Sequence, residues 1–432
     1  MTYHSWFPVK WWQQNKKKSL KILLPTLACL YLFSEAYYLL TRFNLHLADL
    51  TLYYETADKI TAGHIPYKDF RIEYPFFAIV PILLPGLINI LFGSTFKGYC
   101  LFFGLQNILY AAGTVISLSK TKINNQPTES NLRFYAILIL ISLPIYLFRY
   151  DAFPAFLTSI AVYGLQKKAF LSGIIWIIAT GSKLYPVVLG PVFLIYYVIS
   201  GKVKKLWEGV AGVVVCLLLC LTIILPIFGS SIFDVLKLHK LRGIQIESVA
   251  GGFLLFLHKI RLVTVNPVFN FGSVNIDTPL SQKFLTGIAI ITPVIFVFLL
   301  LYFIRILLYE KRLKGTVSPI NVIRAFGIMI LSFVLLNKVL SPQYVIWLFP
   351  FIPFYNHSVR IKFIITLMLT VSIFPGWYHY LVRLNPAVIL VLNIRNLLLI
   401  WILIDILRQM GPEQELSESR AVGTGTEFSL FS

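Results

Sequence analysis

An all-α, polytopic transmembrane helical bundle is the fold class this sequence predicts, and three observations predict it. Of its 432 residues, 57% are hydrophobic and 13% charged. The mean hydropathy is +0.77. Apolar runs of about 20 residues, long enough to cross roughly 30 Å of hydrocarbon, recur from Ile22 to Ile404 with short polar gaps. The solvent for such a chain is a bilayer, and no soluble domain is left over. A net charge of +20 would fit nucleic acid if the basic residues formed one continuous surface. They sit instead in short clusters at the ends of apolar runs, as topology signals facing anionic lipid do, so nucleic acid is not an expected partner.

Residues 1–19 form a basic segment with Lys16, Lys17 and Lys18, expected in the cytoplasm. The run Ile22 to Leu40 that follows is too long for a signal-peptide core and ends without a small-residue cleavage site, so it reads as a retained first span. Residues 20–410 then form a single transmembrane domain with two long external loops, 41–98 and 229–283. Residues 411–432, rich in Glu, Ser, Gly and Thr, read as a disordered cytoplasmic tail. Cys29, Cys100, Cys216 and Cys220 all lie in apolar runs, where a thiol behaves as a small hydrophobe; no disulfide framework or metal spacing emerges.

Topology follows from the basic residues. Inside fall Lys16 to Lys18, Lys120 with Lys122 and Arg133, Lys167 with Lys168, Lys202 with Lys204 and Lys205, Lys311 with Arg312 and Lys314, and Arg360 with Lys362. The chain must then be outside at Asp49 and inside at Lys120, although two apolar runs lie between them. Phe76 to Phe92 carries Pro81 and Pro85, so it is expected as a juxtamembrane or re-entrant external segment, with Tyr99 to Leu118 as the second span. The other reading has both runs spanning. About 12 spans result, within a range of about 11 to 13, with both termini inside.

Long loops in compact proteins are usually functional, and both external loops concentrate carboxylates. The first holds Asp49, Glu55, Asp58, Asp69 and Glu73, the second Asp234, Glu247 and Asp277. Leu52, Tyr53, Thr56, Ile60 and Gly63 recur at helical spacing, which puts Asp49 where a helix N-cap would stand, with Gly63 and Pro66 as stop and turn. Asp49 is therefore either a cap or a chemical group. Arg149 and Asp151 read as an ion pair or as part of a site, Lys183 as a snorkelling lysine or a buried functional cation, and Tyr67, Tyr74 and Tyr344 as interface anchors or ligand contacts. Glu35, Arg395 and Asp405 are further charges within spans, with pairing between helices as the default.

One arrangement extends over most of the chain. An acid follows the first span, then come tyrosines, Gly63-His64-Ile65-Pro66-Tyr67, and Tyr74-Pro75 opening an apolar segment. Arg149-Tyr150-Asp151, Lys183-Leu184-Tyr185-Pro186 and Asn337-Lys338-Val339-Leu340-Ser341-Pro342-Gln343-Tyr344 with Trp347 follow in order. Arg242-Gly243-Ile244-Gln245-Ile246-Glu247-Ser248 is a less specific member. The arrangement resembles glycosyltransferases of the GT-C superfamily, with glycosyltransferase family 87 and the glycosylphosphatidylinositol mannosyltransferase I catalytic subunit as the nearest likenesses. The second carries Asp-x-Asp where this chain has Leu47 before Asp49, a departure that removes any role needing two acids.

That resemblance implies a GT-C bundle, a polyprenyl-phosphate sugar donor with mannose as the sugar, Asp49 as the catalytic base, and a bacterial plasma membrane with the site on the external face. The chemistry asks for cations near the donor phosphate, and Lys183, Arg242, Lys338 and Arg149 are available. Glu73, Tyr74, Tyr185, Glu247, Gln343 and Tyr344 are the expected contacts to sugar or acceptor hydroxyls. Because the leaving group is already a phosphate, neither metal nor cofactor is expected. The partners implied are membrane lipid, the lipid-phosphate donor and a glycan or glycolipid acceptor. A transporter or flippase of a lipid-linked sugar is the alternative; such folds carry internal repeats and midplane polar sites, and no repeat is seen here.

Overall fold

The structure, a computed structural model, describes residues 44–120, 128–165 and 167–410. The segment 1–19, the first span Ile22 to Leu40 with Cys29 and Glu35, Lys122 and the tail 411–432 lie outside the described residues. All contacts below fall within the unit Asp49–Ser432. In chain order its helices are α1 (Asn44–Thr61), α2 (Ile79–Ile90), α3 (Phe96–Ser119), α4 (Thr128–Ile141), α5 (Leu143–Phe148), α6 (Ala152–Gly164), α7 (Ala169–Thr180) and α8 (Gly190–Ile199). There follow α9 (Val203–Leu219), α10 (Asp234–Leu241), α11 (Val249–Lys259), α12 (Ser281–Lys314), α13 (Pro319–Leu336), α14 (His357–Val371) and α15 (Pro386–Gln409).

Six helical stretches among the described residues are long and apolar enough to cross a membrane: Phe96–Ser119, Val203–Phe228, Ser281–Lys314, Pro319–Leu336, His357–Val382 and Pro386–Gln409. The chain is an all-α membrane protein with a small sheet added. Pro319–Leu336 is buried over 72% of its apolar window, whereas Val203–Phe228 and Ser281–Lys314 are buried over 11% of theirs. The first is thus the centre of the bundle. The other two present leucine, isoleucine, valine and phenylalanine outward, which only hydrocarbon tolerates over such lengths.

The predicted count of about twelve spans includes Ile22 to Leu40, which lies outside the described residues; among those residues six are seen, and the other apolar stretches are cut short by the backbone. Between Thr128 and Ile199 the chain runs as five helices and a 3-10 turn. Pro144, Pro186 and Pro191 each sit in the first turn of a new element, where a missing N–H costs nothing. Phe76–Ile90 is a 3-10 turn leading into α2, about 22 Å long at 1.5 Å per residue, a length that suits the non-spanning placement. Pro85 inside α2 leaves the Pro81 carbonyl without its usual donor. Gln106 of α3 supplies one, Nε2 to O at 2.9 Å.

Another apolar stretch departs from expectation. The apolar stretch after Gln343 and Tyr344, one of those that the count of about 12 spans takes as crossing, is not a long helix: Pro342–Leu348 and Ile352–Phe354 are 3-10 turns. Val345, Ile346, Leu348, Phe349 and Phe351 are wholly buried there. Irregular backbone survives at membrane depth only when wrapped in protein, as this segment is by α13 and its neighbours. At the outer rim, α7 and α9 cross closely: a Cβ on Gly212 would run into the Phe170 carbonyl, so the contact requires glycine.

The second loop, expected without strands, holds a three-stranded antiparallel sheet ordered β1-β3-β2, with β1 (Ile244–Gln245), β2 (Asn266–Asn270) and β3 (Ser273–Asp277). Ile244, Ile246, Val274 and Ile276 pack with Leu254, Leu381, Val388 and Leu392 in one apolar cluster. The Gln245 N–H donates to the Lys338 carbonyl at 2.9 Å, which joins the second loop to the end of α13.

Candidate functional site

Asp49 is the sixth residue of α1, with the helix already running at its position. The expected N-cap role is therefore corrected: a cap stands before the first turn, outside the helical hydrogen bonding. The stop is as the sequence predicts. Gly63 has φ +95°, its N–H bonds the Ile60 carbonyl and the His64 N–H bonds the Lys59 carbonyl, the paired bonds of a Schellman motif. One helical turn beyond Asp49, Tyr53 is buried against Tyr74 and Tyr150, with ring centroids 5.8 Å away in each case.

Asp49 Oδ2 is paired with the Arg149 guanidinium; the Arg149 side chain is 7% exposed and that of Asp49 36%. Oδ1 of Asp49 has no hydrogen bond or ion pair of its own among the described residues. Arg149 is extended, with φ −123° and ψ 139°, and lies 5.7 Å from the Phe374 ring. Asp151, two residues later, points elsewhere, so the expected Arg149 to Asp151 ion pair does not form. Its Oδ1 accepts from Lys183 Nζ at 3.0 Å and from Trp347 Nε1 at 2.8 Å.

Lys183 follows α7 in the turn Gly181 to Leu184. Its ammonium, instead of snorkelling to water, is held by Asp151 and stands 4.4 Å from the Tyr150 ring centroid, 5.7 Å from that of Tyr344 and 5.8 Å from that of Trp347. Tyr185 stacks on Trp347 at 4.2 Å and meets Thr158 through its hydroxyl at 3.1 Å; Tyr344 stacks on Trp347 at 4.0 Å. Both tyrosines are buried, so neither is an interface anchor. Tyr67 is also buried and donates to the Tyr74 carbonyl at 2.7 Å. Tyr74 shares the ring cluster of Tyr53 and Tyr150.

The second loop and the end of α13 contribute the remaining predicted residues. Lys338 Nζ donates to the carbonyls of Lys240 and Arg242, and Arg242 Nη2 donates to Ser273 Oγ at 2.9 Å. Burial, with Arg242 adding to it, holds the Lys338 ammonium below the usual lysine range. Two cations thus crowd one place, and an anion there would relieve them. Glu247 is buried: Gln245 Nε2 donates to its Oε2 at 3.0 Å and Arg395 Nη2 to its backbone carbonyl at 2.8 Å. Burial pushes its carboxyl up to about 7, against the opposing pull of Arg395, the Gln245 amide and Arg149. Glu73 is exposed, near the β2–β3 turn at Gly272, and Gln343 is half-buried.

The structure therefore brings Asp49, Arg149, Tyr74, Lys183, Tyr185 and Tyr344 into one network of contacts through Tyr150, Asp151 and Trp347. Arg242, Lys338 and Glu247 form a second group, and Tyr344 lies within electrostatic reach of both Arg242 and Asp151. A cleft of about 760 Å³ opens beside the second group. His239, Lys240, Asn337 and Lys338 line its polar end, while Leu285, Ile288, Ile290, Phe333 and Leu336 line an apolar wall. From sequence, Asp151 reads only with Arg149, Trp347 only as part of the motif from Asn337, and Arg395 only as a charge within an apolar run with pairing between helices as the default; the contacts of Asp151 with Lys183 and Trp347 are not foreseen there. Asp405, read as pairing between helices, is paired with Lys362 of α14. Among the described residues no group of His, Cys, Asp and Glu has metal-ligand clustering. No protein-family model matches the chain, and no curated protein matches it.

Proposed function

We propose that the chain is a membrane-embedded glycosyltransferase of GT-C type that moves a hexose, mannose by the family resemblance, from a polyprenyl-phosphate sugar to a lipid-linked or glycan acceptor. Two observations carry the reading, one from each of the two groups, and Tyr344, within electrostatic reach of Arg242 and Asp151, stands between those groups. Asp49 is a carboxylate paired at Oδ2 with a buried arginine and, among the described residues, without a partner at Oδ1. A cleft that joins an apolar wall to Lys338 and Lys240 has the form a polyprenyl tail with a phosphate head requires.

In this reading Asp49 Oδ1 accepts the proton of the acceptor hydroxyl as that oxygen attacks the anomeric carbon. The bond from that carbon to the phosphate oxygen breaks on the opposite face, with inversion, and the phosphate leaves with the electron pair. Lys338 and Arg242 stabilise the departing charge. Lys183, expected as a phosphate ligand, serves better as a fixture, since Asp151 and three rings already surround it. The charge pattern supports an external site, and the resemblance supports a bacterial plasma membrane.

The test is sugar transfer from a radiolabelled polyprenyl-phosphate mannose to acceptor lipid, in detergent solution, by wild-type and Asp49→Asn protein. Loss of a general base lowers the rate by about 10² to 10⁴-fold. Undiminished transfer by the variant removes Asp49 as base. No transfer by the wild-type chain, with label instead crossing the bilayer of proteoliposomes, would establish the flippase.

A further inference from the structure

The opposite end of α12 carries a second cleft, independent of the external site. Its volume is about 590 Å³, and Leu301, Tyr302, Arg305, Leu308, Tyr309 and Arg312 line it, with Met410 at its margin. Positions 301, 305, 308 and 312 fall on one face of the helix, so two arginines alternate with two leucines along the wall. Tyr302 fixes the cleft's floor by donating to the Leu407 carbonyl of α15 at 2.8 Å.

Both arginines are exposed and make no ion pair among the described residues. The acid closest in sequence, Glu310, is buried and turned the other way, toward Lys314 at 3.7 Å and Asn321 at 3.1 Å. The cleft's positive charge is thus uncompensated by its own helix. Lys311, Arg312 and Lys314 mark this end of α12 as cytoplasmic by the charge rule. Seven residues separate the arginines, about 10.5 Å along the axis, so two extended side chains can converge on one headgroup.

We propose that this cleft binds an anionic phospholipid of the cytoplasmic leaflet, its phosphate between Arg305 and Arg312 and an acyl chain along Leu301 and Leu308. A basic pocket beside a membrane helix, with an apolar wall beneath it, recognises both halves of such a lipid. The full chain, purified in detergent, is titrated with phosphatidylglycerol and separately with phosphatidylcholine, and bound lipid is counted by native mass spectrometry. The same is done for Arg305→Gln/Arg312→Gln and for a control of equal charge loss, Lys204→Gln/Lys205→Gln. Wild-type and control proteins retain phosphatidylglycerol over phosphatidylcholine, and the arginine variant binds it about thirtyfold more weakly. Equal losses in both variants mean diffuse surface charge and overturn the proposal. So does a wild-type chain without preference for phosphatidylglycerol over phosphatidylcholine.

Discussion

Two ion pairs originate in the three-residue segment Arg149-Tyr150-Asp151, and they are built differently. Asp151 with Lys183 is closed on both sides: the side chains are 1% and 16% exposed, and Trp347 donates to the same carboxylate oxygen. Asp49 with Arg149 is closed only on the arginine side. A carboxylate buried to 1% exposure, with Lys183 and Trp347 both on its Oδ1, can hold elements together, here α6, the turn after α7 and the 3-10 segment at Trp347, although its Oδ2 has no hydrogen-bond partner. A carboxylate with one oxygen paired and a side chain 36% exposed can also exchange a proton with a group outside the protein. Under the proposed function the difference gives structure to one acid and chemistry to the other, in line with the resemblance, which implies Asp49 and not Asp151 as the base.

The largest effect is expected where the pair is closed. Asp151→Ala leaves a lysine ammonium without its partner among three aromatic rings, and breaking a buried pair in that way costs about 3–5 kcal/mol. A matching fall of the thermal midpoint in detergent, relative to wild-type protein, is the measurement. Combining it with Lys183→Met should recover most of the loss, since removing both charges takes away the uncompensated one. A midpoint unchanged by Asp151→Ala alone would show that the closed pair bears no load.

How far the sequence reaches is visible at these same residues. Apolar run length and basic clusters indicated a membrane bundle, Gly63 marked the end of α1, and the run Tyr99 to Leu118 falls within Phe96–Ser119. Those are local properties, carried by adjacent residues. The partner of Arg149 lies a hundred residues upstream, and nothing in spacing distinguishes Asp49 from Asp151 as that partner. Trp347 meets Asp151 across an even longer separation, and while the β2–β3 hairpin turns locally at Phe271 and Gly272, β1 joins it from a distant segment, with Ile244 opposite Ile276. The buried 3-10 segment at Pro342–Tyr355 read as a span because apolar content cannot tell lipid from protein as the neighbour.

Glu247 sharpens the contrast with an acid that is buried and closed but not paired through its carboxylate with a cation. Its folded pKa of about 7 lies above the usual carboxylate value of 4.5, so the folded chain binds the proton more tightly than the unfolded one. Stability is then full below about pH 4.5, falls as pH rises toward 7, and is flat above it, with a total loss of about 3 kcal/mol. Glu247→Gln removes that titration. The thermal midpoint of wild-type protein should drop between pH 5 and 8 by several degrees more than that of the variant. Parallel curves would mean that the carboxyl stays ionised throughout, held by Arg395.

The smallest stability effect is expected at Asp49, and it decides most about function. In Asp49→Asn the amide still offers an oxygen to Arg149, and water reaches the exposed side of the pair, so the cost should be about 1 kcal/mol. That is far below the loss expected from Asp151→Ala, even though both changes remove one carboxylate from a buried cation. A folded, thermally near-normal Asn variant without sugar transfer separates chemistry from scaffold. If Asp49→Asn instead lowers the midpoint as far as Asp151→Ala does, both acids are fixtures of the same packing, and the open oxygen of Asp49 has no claim to be the base.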